Sequence, residues 1–252
     1  AIRIDTNPED YSLTSQWCSA QSGQFSATRV FGVYEDLLGN EWILSDNGLG
    51  MLTAGQTTPT SYFVDAAERE KKGGQAFYSC LEYNSEIYFG SDNGRVWCYQ
   101  KENGQFQLQN LPASSRIVSI NSVEGNELIF TTAKDGFFSY QPKTKAIEHF
   151  PASRFPNASI HSVYVDKASE VWFEQHIPGA VVHFNPRTRI LKQEKVPVEP
   201  TSTDRSRPAF HIHEDINGVL WVHPYGGGFS YFDRKSNSLH PFYNSLSGSD
   251  WR

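Results

Sequence analysis

One pattern recurs five times along the chain and limits its fold more than any other feature. It runs as a short hydrophobic strand, a polar turn, an aromatic-centred strand, an Asp/Asn-Gly corner and a further aromatic strand. The first copy covers residues 30–36, Gly39 and Asn40, residues 41–44 and the corner 45–48; the last covers residues 209–215, Asn217 and Gly218, residues 219–222, Gly226 to Gly228 and residues 229–233. Between them lie 77–81 with 87–94, then 117–122 with 125–130 and the corner Asp135, Gly136, then 160–166 with 171–173 and Gly179. The second-strand markers Trp42, Tyr88, Leu128, Trp172 and Trp221 are spaced 46, 40, 44 and 49 residues apart.

A turn and a fourth strand complete most copies: residues 105–109, 146–150, 190–194 and 238–242. A lone four-stranded sheet exposes two apolar faces and buries them only by stacking on its neighbours, so units of this length predict an all-β fold, a β-propeller built of four-stranded blades. A sandwich has no need of the same aromatic at the same place in every unit. The expected domain is 1–252, with blades at about 30–64, 76–109, 116–150, 159–194 and 209–242. Residues 1–4 read as the outer strand of a preceding blade, which makes the chain a fragment of a larger propeller; the alternative is a closed five-bladed ring. Open terminal blades require a covering partner. Residues 54–76 form an enlarged connector in which Asp65 to Lys72 read as a helical turn.

Composition agrees. Phe 17, Tyr 12 and Trp 6 stand against a single Met, a balance that favours strands. The net charge of −6 removes the general attraction that nucleic acid or anionic lipid needs. No apolar run reaches the roughly 18 residues of a membrane span, so any membrane link requires a segment absent from this sequence. Cys18, Cys80 and Cys98 form no C-x-x-C pair and read as small core hydrophobes.

The units resemble the two-component regulator propeller repeat, most plainly over Glu35, Asp36 to Gly48 and over Glu214, Asp215 to Asp233. Units two to four depart from it: Tyr88 and Leu128 replace Trp, and Gln175 to Pro178 replace the Asp-Asn-Gly corner. The resemblance implies part of the periplasmic sensor region of a Bacteroides-type hybrid two-component histidine kinase, whose propellers are seven-bladed. It further implies a glycan-derived oligosaccharide as stimulus, signalling through a homodimer, and contact with the remaining blades or domains of the same sensor. The kinase parts are not in this sequence. No catalytic residue, cofactor or metal is expected.

Six residues are candidates for ligand binding. Arg29, Arg116 and Arg207 precede or open first strands, where they can hold carboxylate or sulfate groups of an acidic sugar, or tie neighbouring connectors together. His176 and Tyr225 replace the Asp-Asn of sibling corners with amphipathic rings suited to a sugar. His211 shares a strand face with His213, and His223 lies one strand away; alternation explains this spacing better than a metal site does. The other corner residues are expected to be turn formers with positive φ. Glu35 with Asp36, and Glu214 with Asp215, cannot act jointly on one bond, because adjacent strand residues point to opposite faces; a turn role for the Asp is expected. Trp42, Trp172 and Trp221 are expected between blades. Two other functions remain: a propeller-fold polysaccharide lyase or glycosidase using His211, His213 and Glu214, and a non-catalytic scaffold for protein interaction.

Overall fold

The computed structural model describes residues 27–56, 58–63, 76–155, 160–175, 180–195, 210–224 and 229–242. They form five four-stranded antiparallel sheets with the strands of each in chain order, a blade-repeat fold of the β-propeller type. Blade 1 holds β1 (Val30–Glu35), β2 (Glu41–Ser45), β3 (Gly48–Leu52) and β4 (Thr60–Tyr62). Blade 2 holds β5 (Phe77–Tyr83), β6 (Glu86–Ser91), β7 (Val96–Gln100) and β8 (Gln105–Gln109). Blade 3 holds β9 (Ile117–Val123), β10 (Glu127–Thr132), β11 (Gly136–Gln141) and β12 (Ala146–Pro151). Blade 4 holds β13 (Ile160–Val165), β14 (Val171–Gln175), β15 (Ala180–Asn185) and β16 (Ile190–Lys195). Blade 5 holds β17 (Phe210–Glu214), β18 (Leu220–Pro224), β19 (Phe229–Asp233) and β20 (Ser238–Phe242). The expected strand at 1–4, the helical turn at 65–72, Cys18 and the glycines 179 and 226–228 lie outside the described residues. Strand β4 falls inside the expected first blade, at residues that the sequence reading also gave to the enlarged connector.

The chain forms two compact units, residues 1–120 and 121–252. In the first, blades 1 and 2 meet face to face: Trp42, Leu44 and Leu49 pack on Phe77, Ile87 and Phe89, with Tyr99 and Phe106 at the edge. Strand alternation makes this work, since Trp42 and Leu44 point one way while Ile43 joins Leu52 and Ala27 on the other side. In the second unit, Trp172 and Val181 of blade 4 meet Ile212, Leu220, Val222 and Phe232 of blade 5. Blade 3 meets blade 4 through Phe137, whose ring centroid lies 5.0 Å from Phe173 and 4.9 Å from Phe184.

Two kinds of turn join first and second strands. Blades 2 and 3 use tight turns of two and three residues with two positive-φ positions each, Asn84 and Ser85 in one, Gly125 and Asn126 in the other. Blades 1, 4 and 5 use a longer loop built on one aspartate. The corners between second and third strands depart from expectation: Asp46, Asn47, Asp92, Asn93, Lys134 and Asp135 are not in the left-handed region, and the glycine after each pair is, at Gly48, Gly94 and Gly136. At Gly136 a Cβ would stand 2.1 Å from the Phe150 carbonyl oxygen, so the corner needs glycine for space as well as for φ.

Candidate functional site

The starts of the first strands carry the sequence candidates. In residues 1–120 the Asp46 carboxylate accepts the backbone N–H groups of Thr28 (3.0 Å) and Arg29 (3.1 Å) and the Thr28 hydroxyl, while the Asp46 N–H returns to the Arg29 carbonyl at 3.1 Å. This clamps the Arg29 backbone and leaves its side chain exposed. Just beyond, β1 and β5 each carry a β-bulge, at Phe31 between Val30 and Gly32 and at Tyr78 between Phe77 and Ser79. A bulge takes its residue out of the ladder and re-aims the side chain. The two rings stack at 4.2 Å, and the exposed Arg116 guanidinium covers Tyr78 at 4.7 Å. Each contact of this kind is worth about 0.5–1.5 kcal/mol. Arg116 therefore ties neighbouring strand starts together, while its remaining donors stay available for an anion. Among the described residues Arg29 has no such engagement. Beneath the row, Ser79 Oγ donates to the Ile117 carbonyl at 3.2 Å, and Gly90 leaves room for the Ile117 side chain.

In residues 121–252 the corresponding support is a carboxylate. Glu174, buried in β14, accepts the Ser162 hydroxyl and, at 2.9 Å, the Ile212 N–H. His211 Nδ1 lies 3.9 Å from Glu174 Oε1, with the imidazole about half exposed. His213 is exposed, and His223 stacks on Phe229 at 4.7 Å. Among the described residues no group of three His, Cys, Asp or Glu side chains is placed to hold a metal ion. His161 occupies a further first-strand bulge, between Ile160 and Ser162. Arg207, His176 and Tyr225 lie outside the described residues.

The structure thus brings Arg116 onto an aromatic row that the sequence reading did not single out. Phe31 and Tyr78 were missed because a bulge leaves no mark in hydrophobic alternation; the available signal was a second large residue straight after the first apolar one, as in Val30, Phe31 and Phe77, Tyr78. Glu174 was missed because the backbone it supports, at Ile212, lies 38 positions away.

The far end of the first strands is structural. Asp36 accepts N–H groups from Leu38 (2.9 Å) and Asn40 (2.9 Å) and the Trp42 indole N–H (3.1 Å). Asp166 does the same with Ala168, Glu170 and Trp172, and Asp215 with Asn217, Val219 and Trp221. The turn role expected for Asp36 and Asp215 is thereby explained, and Asp166 shares it: each closes its loop and anchors the tryptophan six residues on. Burial pushes the Asp36 carboxyl up, but the hydrogen bonds from Asn40, Trp42 and Leu38 outweigh it and hold the group below its usual range. The next blade locks the loop. Glu82 accepts from the Leu37 N–H (2.9 Å) and the Tyr34 hydroxyl (3.0 Å) and pairs with Lys101. Burial and then Glu82 push the Tyr34 phenol up to about 12. Glu214 accepts from the Lys167 N–H at 2.7 Å, with Arg234 3.0 Å from Asp166. Trp42 and Trp172 are fully buried in these seams, as expected, but Trp221 is only partly buried.

No protein-family model and no curated protein matches the chain at the sequence level. Among solved structures it is similar to the extracellular domains of two hybrid two-component systems of B. thetaiotaomicron. One has a TM-score of 0.62 at 16% identity, covering 86% of this chain and 28% of that one; the other has 0.63 at 14%, covering 86% and 30%. It is also similar to virginiamycin B lyase of Staphylococcus aureus, with a TM-score of 0.63 at 18% identity, covering 88% of this chain and 73% of that one. The likeness establishes a shared blade-repeat fold, and the chain spans less than a third of either sensor domain. No helix among the described residues is long and apolar enough to cross a membrane.

Proposed function

We propose that this chain belongs to the periplasmic ligand-sensing region of a hybrid two-component sensor kinase. In this reading it detects a glycan-derived oligosaccharide bearing carboxylate or sulfate groups and carries out no chemistry of its own. The observation that carries the reading is the pair of exposed arginines, Arg29 and Arg116, at equivalent strand starts, one on a clamped backbone and one on an aromatic row. Guanidinium forks fit planar oxyanions, and the fold is shared with two sensor extracellular domains. Calorimetry over neutral, carboxylated and sulfated oligosaccharides tests it. Saturable heat is expected from acidic members only, reduced in Arg29→Gln; no heat from any member overturns the reading.

The Glu174–His211 pair favours a second reading as a lyase or glycosidase, since a buried carboxylate beside a half-exposed imidazole is an acid–base arrangement. Release of unsaturated or reducing ends from a polysaccharide, lost in His211→Ala, would establish it.

A further inference from the structure

The fourth strand of each sheet is an edge, and an edge offers its backbone N–H and C=O groups to any strand that can pair with it. Short length, charged side chains and proline all blunt such an edge. Four of the five edges carry one of these guards. Strand β4 has three residues, β12 holds Glu148 and ends in Pro151, β16 holds Lys192 and Glu194, and β20 holds Pro241. Strand β8 carries none of them. It runs Gln105, Phe106, Gln107, Leu108, Gln109, and among the described residues it pairs with β7 alone.

The order of those five residues selects the occupant. In an antiparallel pair centred on Gln107, Gln105 meets Gln109, Phe106 meets Leu108, and Gln107 meets itself. Directly opposite residues share a face, so this register puts apolar against apolar on one side and amide against amide on the other. Phe106 packs on Tyr62 at 5.0 Å and Trp42 at 6.3 Å, while Leu108 is exposed and gains cover from Phe106 of the second strand. A carboxamide carries both donor and acceptor, so glutamine opposite glutamine is self-complementary, whereas a charged residue would meet its own charge. Gln105 and Gln107 are exposed, and Gln109 turns its Nε2 back to the Gln107 carbonyl at 3.3 Å. Residues 103–115 contain no charged side chain, so this register sets no charges against each other at either end of the strand.

We propose that β8 pairs antiparallel with β8 of a second copy of this chain, about a two-fold axis at Gln107. Two five-residue strands bury less than the roughly 1,200 Å² of a standard interface, so the association is weak and needs a high concentration. The proposal is independent of the ligand reading.

Sedimentation equilibrium of the full chain up to about 1 mM tests it, and a monomer–dimer equilibrium is expected. Gln107→Lys and Gln107→Glu each set like charges about 5 Å apart across the axis, and each is expected to weaken the dimer at least about five-fold. An equal mixture of the two variants is expected to restore it, because Lys then stands opposite Glu. Position 107 is exposed, so both variants are expected to keep the parent's urea midpoint at low concentration, which reports that they fold. In the unaltered chain, hydrogen exchange over residues 105–109 is expected to slow as concentration rises, a reading that needs no substitution. A chain that stays monomeric throughout, or whose exchange there ignores concentration, overturns the proposal. So does a dimer that the charges leave unchanged, or one that the mixture fails to restore.

Discussion

A single aspartate closes the first loop of three blades, and its value depends on what surrounds it. Asp166 holds two backbone N–H groups and the buried Trp172 indole, all three of which lose their acceptor in Asp166→Ala. The expected loss is about 3 kcal/mol or more by urea unfolding, because buried donors without acceptors carry their full desolvation penalty. Asp215→Ala removes the same contacts beside a half-buried tryptophan whose donors reach water, so its loss is expected to be smaller. If the two losses are equal, burial is not what sets the cost. Space works the same way at Gly90, where a Cβ would stand 2.5 Å from Ser79 Oγ and 2.6 Å from Ile117 Cγ2. Gly90→Ala should destabilise by about 1–3 kcal/mol through overpacking, read as a lowered urea midpoint.

The seams between blades are partly ionic, and this gives them a pH dependence. Asp36 and Glu82 lie below their ordinary values of 3.8 and 4.5; in both, burial opposes the shift, while hydrogen bonds from Asn40 to the one and from Lys101 to the other outweigh it. Glu170 is lowered chiefly by His183, whose Nδ1 lies 3.3 Å from its Oε2 and whose ring stacks on Trp172 at 4.3 Å. A carboxyl depressed in the folded state stabilises the fold fully above its unfolded value and loses that contribution as pH falls through the folded one. The contribution of these carboxyls should therefore be flat above about pH 5 and fall below it. Glu82→Gln should flatten the acid limb measured by thermal unfolding between about pH 5 and pH 3, and an acid limb identical to that of the parent chain would show that the Lys101 pair is idle.

At the scale of the whole molecule, the proposed ligand site predicts a salt dependence. Arg29 and Arg116 are exposed, and charges at the surface are screened over about 8 Å at physiological ionic strength. Affinity for an acidic oligosaccharide should fall as salt rises and should drop about ten-fold or more in the double variant Arg29→Gln with Arg116→Gln, given about 1.5–3 kcal/mol for a charge-assisted hydrogen bond. A titration series in rising sodium chloride checks this; affinity indifferent to salt would point to stacking on Phe31 rather than to the arginines. Removing Arg116 also uncovers Tyr78, so Arg116→Lys, which keeps the charge but not the planar fork, separates the two contributions.

The sequence by itself determined the repeat and with it the blades, because strand period, turn glycines and a recurring aromatic are local signals, and five copies of one pattern reinforce each other. It also placed Asp36 and Asp215 in turns, since neighbouring strand residues point to opposite faces and the alternation along the chain shows it. Only the tertiary structure decided what crosses between strands and between blades: the bulges that aim Phe31 and Tyr78 at each other, the reach of Glu82 to Leu37 and of Glu214 to Lys167, and the partial burial of Trp221 beside its fully buried siblings. These depend on register and on which sheet lies against which face. Residues that touch across 38 to 50 positions, as Glu174 touches Ile212 and Tyr164 touches Glu214, leave no trace in any window read along the chain.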